Sequence, residues 1–358
     1  MRHRRTAFVA VIVIAATAAA CGVQTVADKT GDHTLVIRLG TIDTVLDPNR
    51  QTPAPSVFIS TLERVSAGAI TVQVVSPYGN GPTAESDMIA AIGRGDLDAG
   101  YPAVRAFAAA GLPGFEAVEA PFLVASAAAE DAISTGQVGR DLLRSLDGSA
   151  VVGLGIAPGP LRRPFGLTPL LNPADWKGQK VRDTNSPVQA QTITALGGTP
   201  VSAGAGFDQL VRVRLLQGAE IDVPQYAARD YGTLLPAVVR NVVLWPRMLV
   251  LTFNRKLVER LSRVQRGWLQ QAADAAVQAS LMRAADEITP AAQVCAGGVQ
   301  FYDASTADVA ALTSAVQPVL ARISSDPVAG PLLSEVKEVV AAHPGVDVPY
   351  VPAGCLGH

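Results

Sequence analysis

Arginine is the residue type in this sequence best placed to do chemistry, and two positions stand out. Arg182 closes the β-rich run Gly178 to Arg182 (GQKVR), and Arg162 precedes it by twenty residues, beside Arg163. A guanidinium offers a planar fork of donors that matches both oxygens of a carboxylate, and it stays charged at any relevant pH. In open parallel α/β sheets, ligands bind in the crevice beyond the carboxyl ends of the strands. Arg182 is therefore expected to face such a crevice and hold an anion there. The competing reading pairs either arginine with an internal acid such as Asp175 or Asp183, or leaves it on the surface.

Other chemistries find less support. There is no Gly-x-Ser-x-Gly elbow, no P-loop and no Ser/His/Asp set, because His33, His343 and His358 fall in a tether or in the tail. Zinc would lack ligands, with no Cys-x-x-Cys or His-x-x-x-His spacing. Gly153 to Gly159 faintly resembles a dinucleotide loop, but Pro158 and Pro160 block the helix that would receive a pyrophosphate; the segment reads as a crossing between lobes. No cofactor is expected. An exported hydrolase using Glu85, Asp98, Glu220 or Asp222 is the rival from another class, although each acid reads more simply as a surface or capping residue.

The elements that would position these residues repeat. Thr34 to Gly40 is a strand, Pro55 to Ser66 a helix, Ala69 to Ser76 a strand, Glu85 to Ile92 a helix stopping at Gly93 or Gly95, and Asp96 to Tyr101 a short strand. The later half follows the same order. Gly178 to Arg182 is a strand, Pro187 to Leu196 a helix, Thr199 to Val201 a strand, Phe207 to Leu216 a helix, and Ala219 to Val223 a strand. Alternation of this kind implies mainly parallel sheets wrapped by helices. From Asn254 to Glu287 the helical pattern is unbroken, about 50 Å at ~1.5 Å per residue, enough to span two lobes, with a bend expected near Gly267.

The chain has 358 residues, 49% hydrophobic and 17% charged, which is too apolar for disorder and too long for a lone small domain. Its formal net charge of −2 and scarce Lys-Arg clusters argue against nucleic acid. Arg2, Arg4 and Arg5, the apolar run Ala7 to Ile14 and small residues up to Ala20 have the order of an export signal. Ala18-Ala19-Ala20-Cys21 resembles a lipobox, in which Cys21 would be acylated and residues 21–33 would form a tether. Outside the cytoplasm Cys295 and Cys355 either form a disulfide or remain two buried thiols.

From about Thr34 to Asp303 the chain resembles the extracytoplasmic solute receptors of TRAP transporters, the DctP-type family. The resemblance rests on Pro169-x5-Asp175-Trp176-Lys177-Gly178-x-Lys180-Val181-Arg182, then Ala195-Leu196-Gly197-Gly198-Thr199-Pro200-Val201 and Phe207. Earlier, Ser66-x-Gly68-x-Ile70-x-Val72-x-Val74, Gly95-Asp96-Leu97-Asp98 and Ala120-Pro121-Phe122-Leu123 match the family's opening lobe. It implies a two-lobed periplasmic-binding-protein-like α/β fold closing on a small organic anion. Arg182 would make the main carboxylate salt bridge and Arg162 a second contact. Phe207 would be an aromatic lining residue and Glu85 a polar one, and Gln225 or Tyr226 would stand where the family carries an Asn. Two or so residues are inserted around Ala203 to Gly206. Gly100-Tyr101-Pro102-Ala103 lacks the acid of sialic-acid-binding members.

The expected organisation is a signal over 1–20, a lipid-anchored tether over 21–33, lobe I over 34–159 plus about 250–288, and lobe II over 160–249 plus about 289–358. The expected partners are a small organic carboxylate, the permease subunits of a TRAP transporter and the membrane through the lipid anchor, with the receptor a monomer. A receptor for another transporter or for a sensor kinase is the alternative among binding proteins.

Overall fold

The computed structural model describes residues 34–42, 46, 52–282 and 287–357. The export segment and Cys21 lie outside the described residues. Among the described residues twelve strands follow in chain order: β1 Leu35–Gly40, β2 Ile70–Val75, β3 Ala99–Gly100, β4 Val151–Ala157, β5 Leu161–Gly166, β6 Lys180–Asp183, β7 Thr199–Ser202, β8 Gly218–Asp222, β9 Ala237–Val239, β10 Trp245–Pro246, β11 Leu249–Asn254 and β12 Gln300–Tyr302. They form two sheets. The first has the order β2-β1-β3-β11-β4, and the second β12-β9-β5-β8-β6-β7 with β10 paired to β5.

Local signals account for the repeated units. The helix Ala54–Val65 carries proline in its first turn and buries Phe58 and Leu62, four residues apart, behind β1 and β2. The helix Ala84–Arg94 stops at Gly95, whose φ of 85° is the left-handed cap conformation that glycine adopts without strain. In the second sheet, Ser186 caps the helix Pro187–Ala195 by accepting from the backbone N–H of Gln189.

Both sheets are mixed rather than mainly parallel. β1 runs parallel to β2 and β3, and β6 parallel to β7 and β8, but β11 is antiparallel to both β3 and β4, and β5 is antiparallel to β8 and β9. The reason is the crossing. The chain leaves the first sheet at the carboxyl end of β4 and returns to that end to start β11, so the two must run in opposite senses. Where the crossing segments meet, Gly159 packs so tightly on Arg247 that a Cβ would run into the Arg247 carbonyl.

The helical pattern from Asn254 to Glu287 divides into Arg255–Arg260 and Arg263–Leu281, not bending at Gly267 but breaking at Leu261–Ser262. Ser262 and Gln265 form a capping box that starts the second helix. At ~1.5 Å per residue its 19 residues reach only about 28 Å. Its buried Leu269, Ala272, Ala273 and Ala276 pack with Phe58 of the helix Ala54–Val65 and Leu251 of the first sheet, so its core contacts belong to one lobe. The tail departs from the expected lobe II in the same way. Val319 and Ile323 of the helix Gln317–Ser325, and Leu332, Leu333 and Val336 of the helix Ala329–Ala342, share a core with Met88, Phe107 and Leu142.

A disulfide joins Cys295 to Cys355 across a Cα–Cα distance of 5.7 Å and fastens the end of the chain to the core of the second sheet. It closes a loop with a sequence separation of 60 residues. Reduction, or the Cys295→Ser/Cys355→Ser pair, is expected to lower stability by about 2–4 kcal/mol. Urea unfolding with and without reductant measures this; coincident midpoints would show that tail packing alone suffices. Among the described residues no helix is long and apolar enough to cross a membrane.

Candidate functional site

The carboxyl ends of the parallel strands in both sheets converge on one cavity of about 60 Å³. Ile42 follows β1, Asn80 and Glu85 follow β2, and Arg105 follows β3. Arg182 is the penultimate residue of β6 and Thr184 follows the strand, Gly204 follows β7, and Gln225 follows β8. Arg162 enters from the antiparallel β5, and Arg229 and Arg247 also line the wall. Gly204 lies against the turn at Asn80 and Gly81 so closely that a Cβ would strike their backbone. The Ala203–Gly206 segment therefore meets the opposite lobe at the cavity.

Arg182 is positioned by its surroundings on every side. Asp183 accepts from the backbone N–H of Asn185 and from the Ser202 hydroxyl, both at 2.8 Å, and this fixes the turn after β6. Asn185 takes a left-handed φ of 61°, which asparagine tolerates. The Arg182 guanidinium carbon lies 4.5 Å from the centre of the Phe207 ring, and its Nε donates to the Ala203 carbonyl at 3.1 Å. Its Nη2 stands 3.8 Å from Glu220 Oε1, an ion pair beyond hydrogen-bond reach, and Nη1 has no partner. Burial pulls its pKa down to about 10 against the attraction of Glu220. It remains a cation at neutral pH with donors unused in a cavity wall, which equips it to bind an anion.

Arg162 lines the same cavity in a different condition. Adjacent residues of a strand point to opposite faces, so Arg162 and Arg163 of β5 part company. Arg162 Nε donates to Glu220 Oε2, Nη1 to Asp222 Oδ2 at 3.0 Å and to Gln225 Oε1 at 3.3 Å, and Nη2 to the Glu220 carbonyl at 2.9 Å. Arg163 donates to Glu287 at 2.9 Å and to the Asp347 carbonyl at 2.7 Å, tying the tail to β5. Burial alone would raise the Glu220 carboxyl, but Arg162, with help from Arg182 and Arg105, holds it below the usual glutamate range.

Glu85 faces the cavity beside its partner. Its Oε1 accepts from the backbone N–H of Ala103 at 3.1 Å and its Oε2 pairs with Arg105 Nη2 at 2.7 Å, which aims Arg105. Two of the expected contacts are corrected. Phe207 is not part of the cavity wall but lies behind the Arg182 guanidinium as an apolar platform. Tyr226 is core: its ring stacks on Phe165 at 4.6 Å, and its hydroxyl bonds the backbone of Leu235 and Gly232. The register is set by Asp222, whose side chain accepts from the Gln225 N–H at 2.7 Å and so starts the helix that carries Gln225 to the cavity.

Arg105, Thr184, Arg229 and Arg247 were not foreseen. Arg105 follows β3 at the same carboxyl-end position that singles out Arg182 at β6, so the same rule points to both. Glu220, expected to be a surface or capping acid, is instead fully buried and holds Arg162.

The model of the bacterial extracellular solute-binding protein family 7, DctP, matches residues 47–326. A curated relative, the C4-dicarboxylate-binding periplasmic protein DctP of Rhodobacter capsulatus, is 25% identical over 202 residues, 52% of this chain and 60% of the relative, so the match spans less than two thirds of that protein. Among solved structures, a TRAP periplasmic solute-binding protein of Ralstonia eutropha with bound (S)-2-acetolactate is similar at 20% identity and a TM-score of 0.76, covering 86% of this chain and 99% of the other. One of Shewanella oneidensis with bound succinate gives 19% and 0.75 over 86% and 99%. One of a Sulfitobacter species with bound β-D-galacturonate gives 19% and 0.75 over 85% and 99%. These likenesses establish the two-lobed fold.

Proposed function

Because the chain belongs to the bacterial extracellular solute-binding proteins of family 7, we propose that it captures a small organic carboxylate between its two lobes and delivers it to the permease subunits of a TRAP transporter. Arg182 is the anchor in this reading, and it forms a salt bridge to the carboxylate. The observation that carries it is a buried guanidinium with Nη1 unpartnered at the wall of a cavity. Arg105, aimed by Glu85, meets the ligand from the first lobe, and Gln225 contributes a side-chain amide. Arg162 acts mainly by holding Glu220 and Asp222. The relatives' bound succinate, galacturonate and acetolactate each carry a carboxylate, which is consistent with this anchor. Acylation of Cys21 would tether the receptor, acting as a monomer, to the membrane.

A thermal-shift screen against mono- and dicarboxylic acids, keto acids and sugar acids tests the reading. A ligand at a hundred times its Kd stabilises by about 2.7 kcal/mol, so a true ligand is expected to raise the unfolding midpoint by several degrees. If neutral sugars or polyols shift the midpoint and no carboxylate does, the anion-receptor assignment is wrong.

A further inference from the structure

Behind the cavity, at the junction of the lobes, lies an acid with no role so far. Glu119 ends the short helix Glu116–Glu119 on the first lobe, is 1% exposed, and neither of its carboxyl oxygens has a hydrogen-bond partner. It faces Ser186 and Gln189 of the second lobe. Val188, between them, packs into the first lobe's core, so this is where the two halves touch. Gln189 is fully buried, and its Oε1 accepts from both the N–H and the hydroxyl of Thr184, at 3.0 and 2.8 Å. Two donors on one side fix the amide, which leaves Nε2 as an unpartnered donor. Thr184 in turn lines the cavity.

We propose that Glu119 is a protonated positioning residue: its carboxylic acid donates to Ser186 Oγ and accepts from Gln189 Nε2, and through Gln189 it holds Thr184 at the cavity wall while the lobes are together. The inference uses the two-lobed architecture and no particular ligand. With no cation paired to it among the described residues, an ionised carboxylate in so buried a site would be strongly disfavoured, whereas the neutral acid donates to one of the two partners facing it and accepts from the other. Burial pushes Glu119 up to about 8, opposed by Ser186, Arg105 and Gln189 and assisted by Glu116.

Those are the charged groups acting on it. Arg105 is paired with Glu85, and Glu116 with Arg322 of the helix Gln317–Ser325 at 2.7 Å. The neighbouring helix Ala329–Ala342 buries Leu332, Leu333 and Val336, and β10 contributes Trp245; none of these titrates.

Parting the lobes exposes Glu119 to water and returns it to about 4.3, the ordinary glutamate value. The sign follows. A group raised in the closed form favours closure fully below its open-form value, and that favour is lost as pH rises through the closed-form value. The closed-to-open ratio is therefore expected to fall about tenfold per pH unit between roughly pH 5 and 8 and to level off above.

Small-angle scattering of the ligand-free protein from pH 5 to 9 reads this directly. The wild-type radius of gyration should grow with pH while that of Glu119→Gln, which cannot ionise, stays constant. A wild-type curve that is flat, or one that Glu119→Gln follows, overturns the proposal. Infrared spectra at pH 6.5 should contain a protonated-carboxyl band that Glu119→Gln lacks; no difference between the two also overturns it. Should that variant fail to fold, the wild-type band is titrated instead with Ser186→Ala as comparison. A shifted titration in Ser186→Ala supports the assignment, and an identical titration in the two proteins overturns it. Neither readout involves a ligand, so a failed carboxylate screen and a failed proton site are separate results.

Discussion

Arg162→Met is expected to lower folding stability by about 3–5 kcal/mol, the usual consequence of removing one partner from a buried ion pair. Arg162 is 1% exposed and Glu220 and Asp222 are no more exposed, so the loss strands two carboxylates in the second lobe's core. Trp245 Nε1 remains 3.3 Å from Glu220, and Arg182 stays at 3.8 Å, too far to hydrogen bond. Methionine fills much of the volume, so the measured loss reports charge rather than a void. The pH dependence distinguishes the cause. Glu220 is held below its unfolded value in the wild type, so its contribution is present above about pH 4.3 and lost as pH falls. The gap between variant and wild type should therefore narrow below about pH 4. Urea unfolding at pH 7 and pH 3 measures both points, and a variant within about 1 kcal/mol of wild type at pH 7 would show that the triad is not structural.

What the sequence made legible was the local part of this arrangement. The strand that carries Arg182, the helix begun by Ser186 and Pro187, and the Gly95 stop each depend on residues close in the chain, and each lies within a residue or two of its expected place. The break at Ser262 was also written locally, as Ser262-x-x-Gln265, but an apolar periodicity that continues through it on both sides concealed the signal. The site residues beyond Arg182 were harder for a different reason. Arg162 meets Glu220 and Asp222 across 58 and 60 residues, because β5 pairs antiparallel with β8, and that pairing follows from the crossing between sheets. A strand buried on both faces carries no alternation. Nothing in Gly218–Asp222 therefore marked Glu220 as an interior acid instead of a surface one. Gln225 and Tyr226 differ by one position on a helix, and only the Asp222 cap decides which faces the cavity.

The opposite result is expected for Arg182→Met: a fold almost untouched and a binding site disabled. In the folded protein Arg182 is a cation whose burial is only partly compensated, as its lowered pKa of about 10 records. Its departure leaves Glu220 still bonded to Arg162 and Trp245, so stability should change by no more than about 1 kcal/mol. Binding should weaken by about 2–5 kcal/mol, from roughly thirtyfold to several thousandfold, because a desolvated ligand carboxylate loses its charge partner. Arg182→Lys separates charge from geometry. A lysine keeps the charge but lacks the planar fork, and an ammonium is more strongly hydrated than the guanidinium now resting 4.5 Å from Phe207. It should recover only a fraction of the lost affinity. Calorimetric titration of whichever carboxylate the thermal screen identifies compares the three proteins. An unchanged Kd in Arg182→Met would move the anchor elsewhere in the cavity, with Arg105 the next residue to replace, since it is the guanidinium that the first lobe holds in place through Glu85.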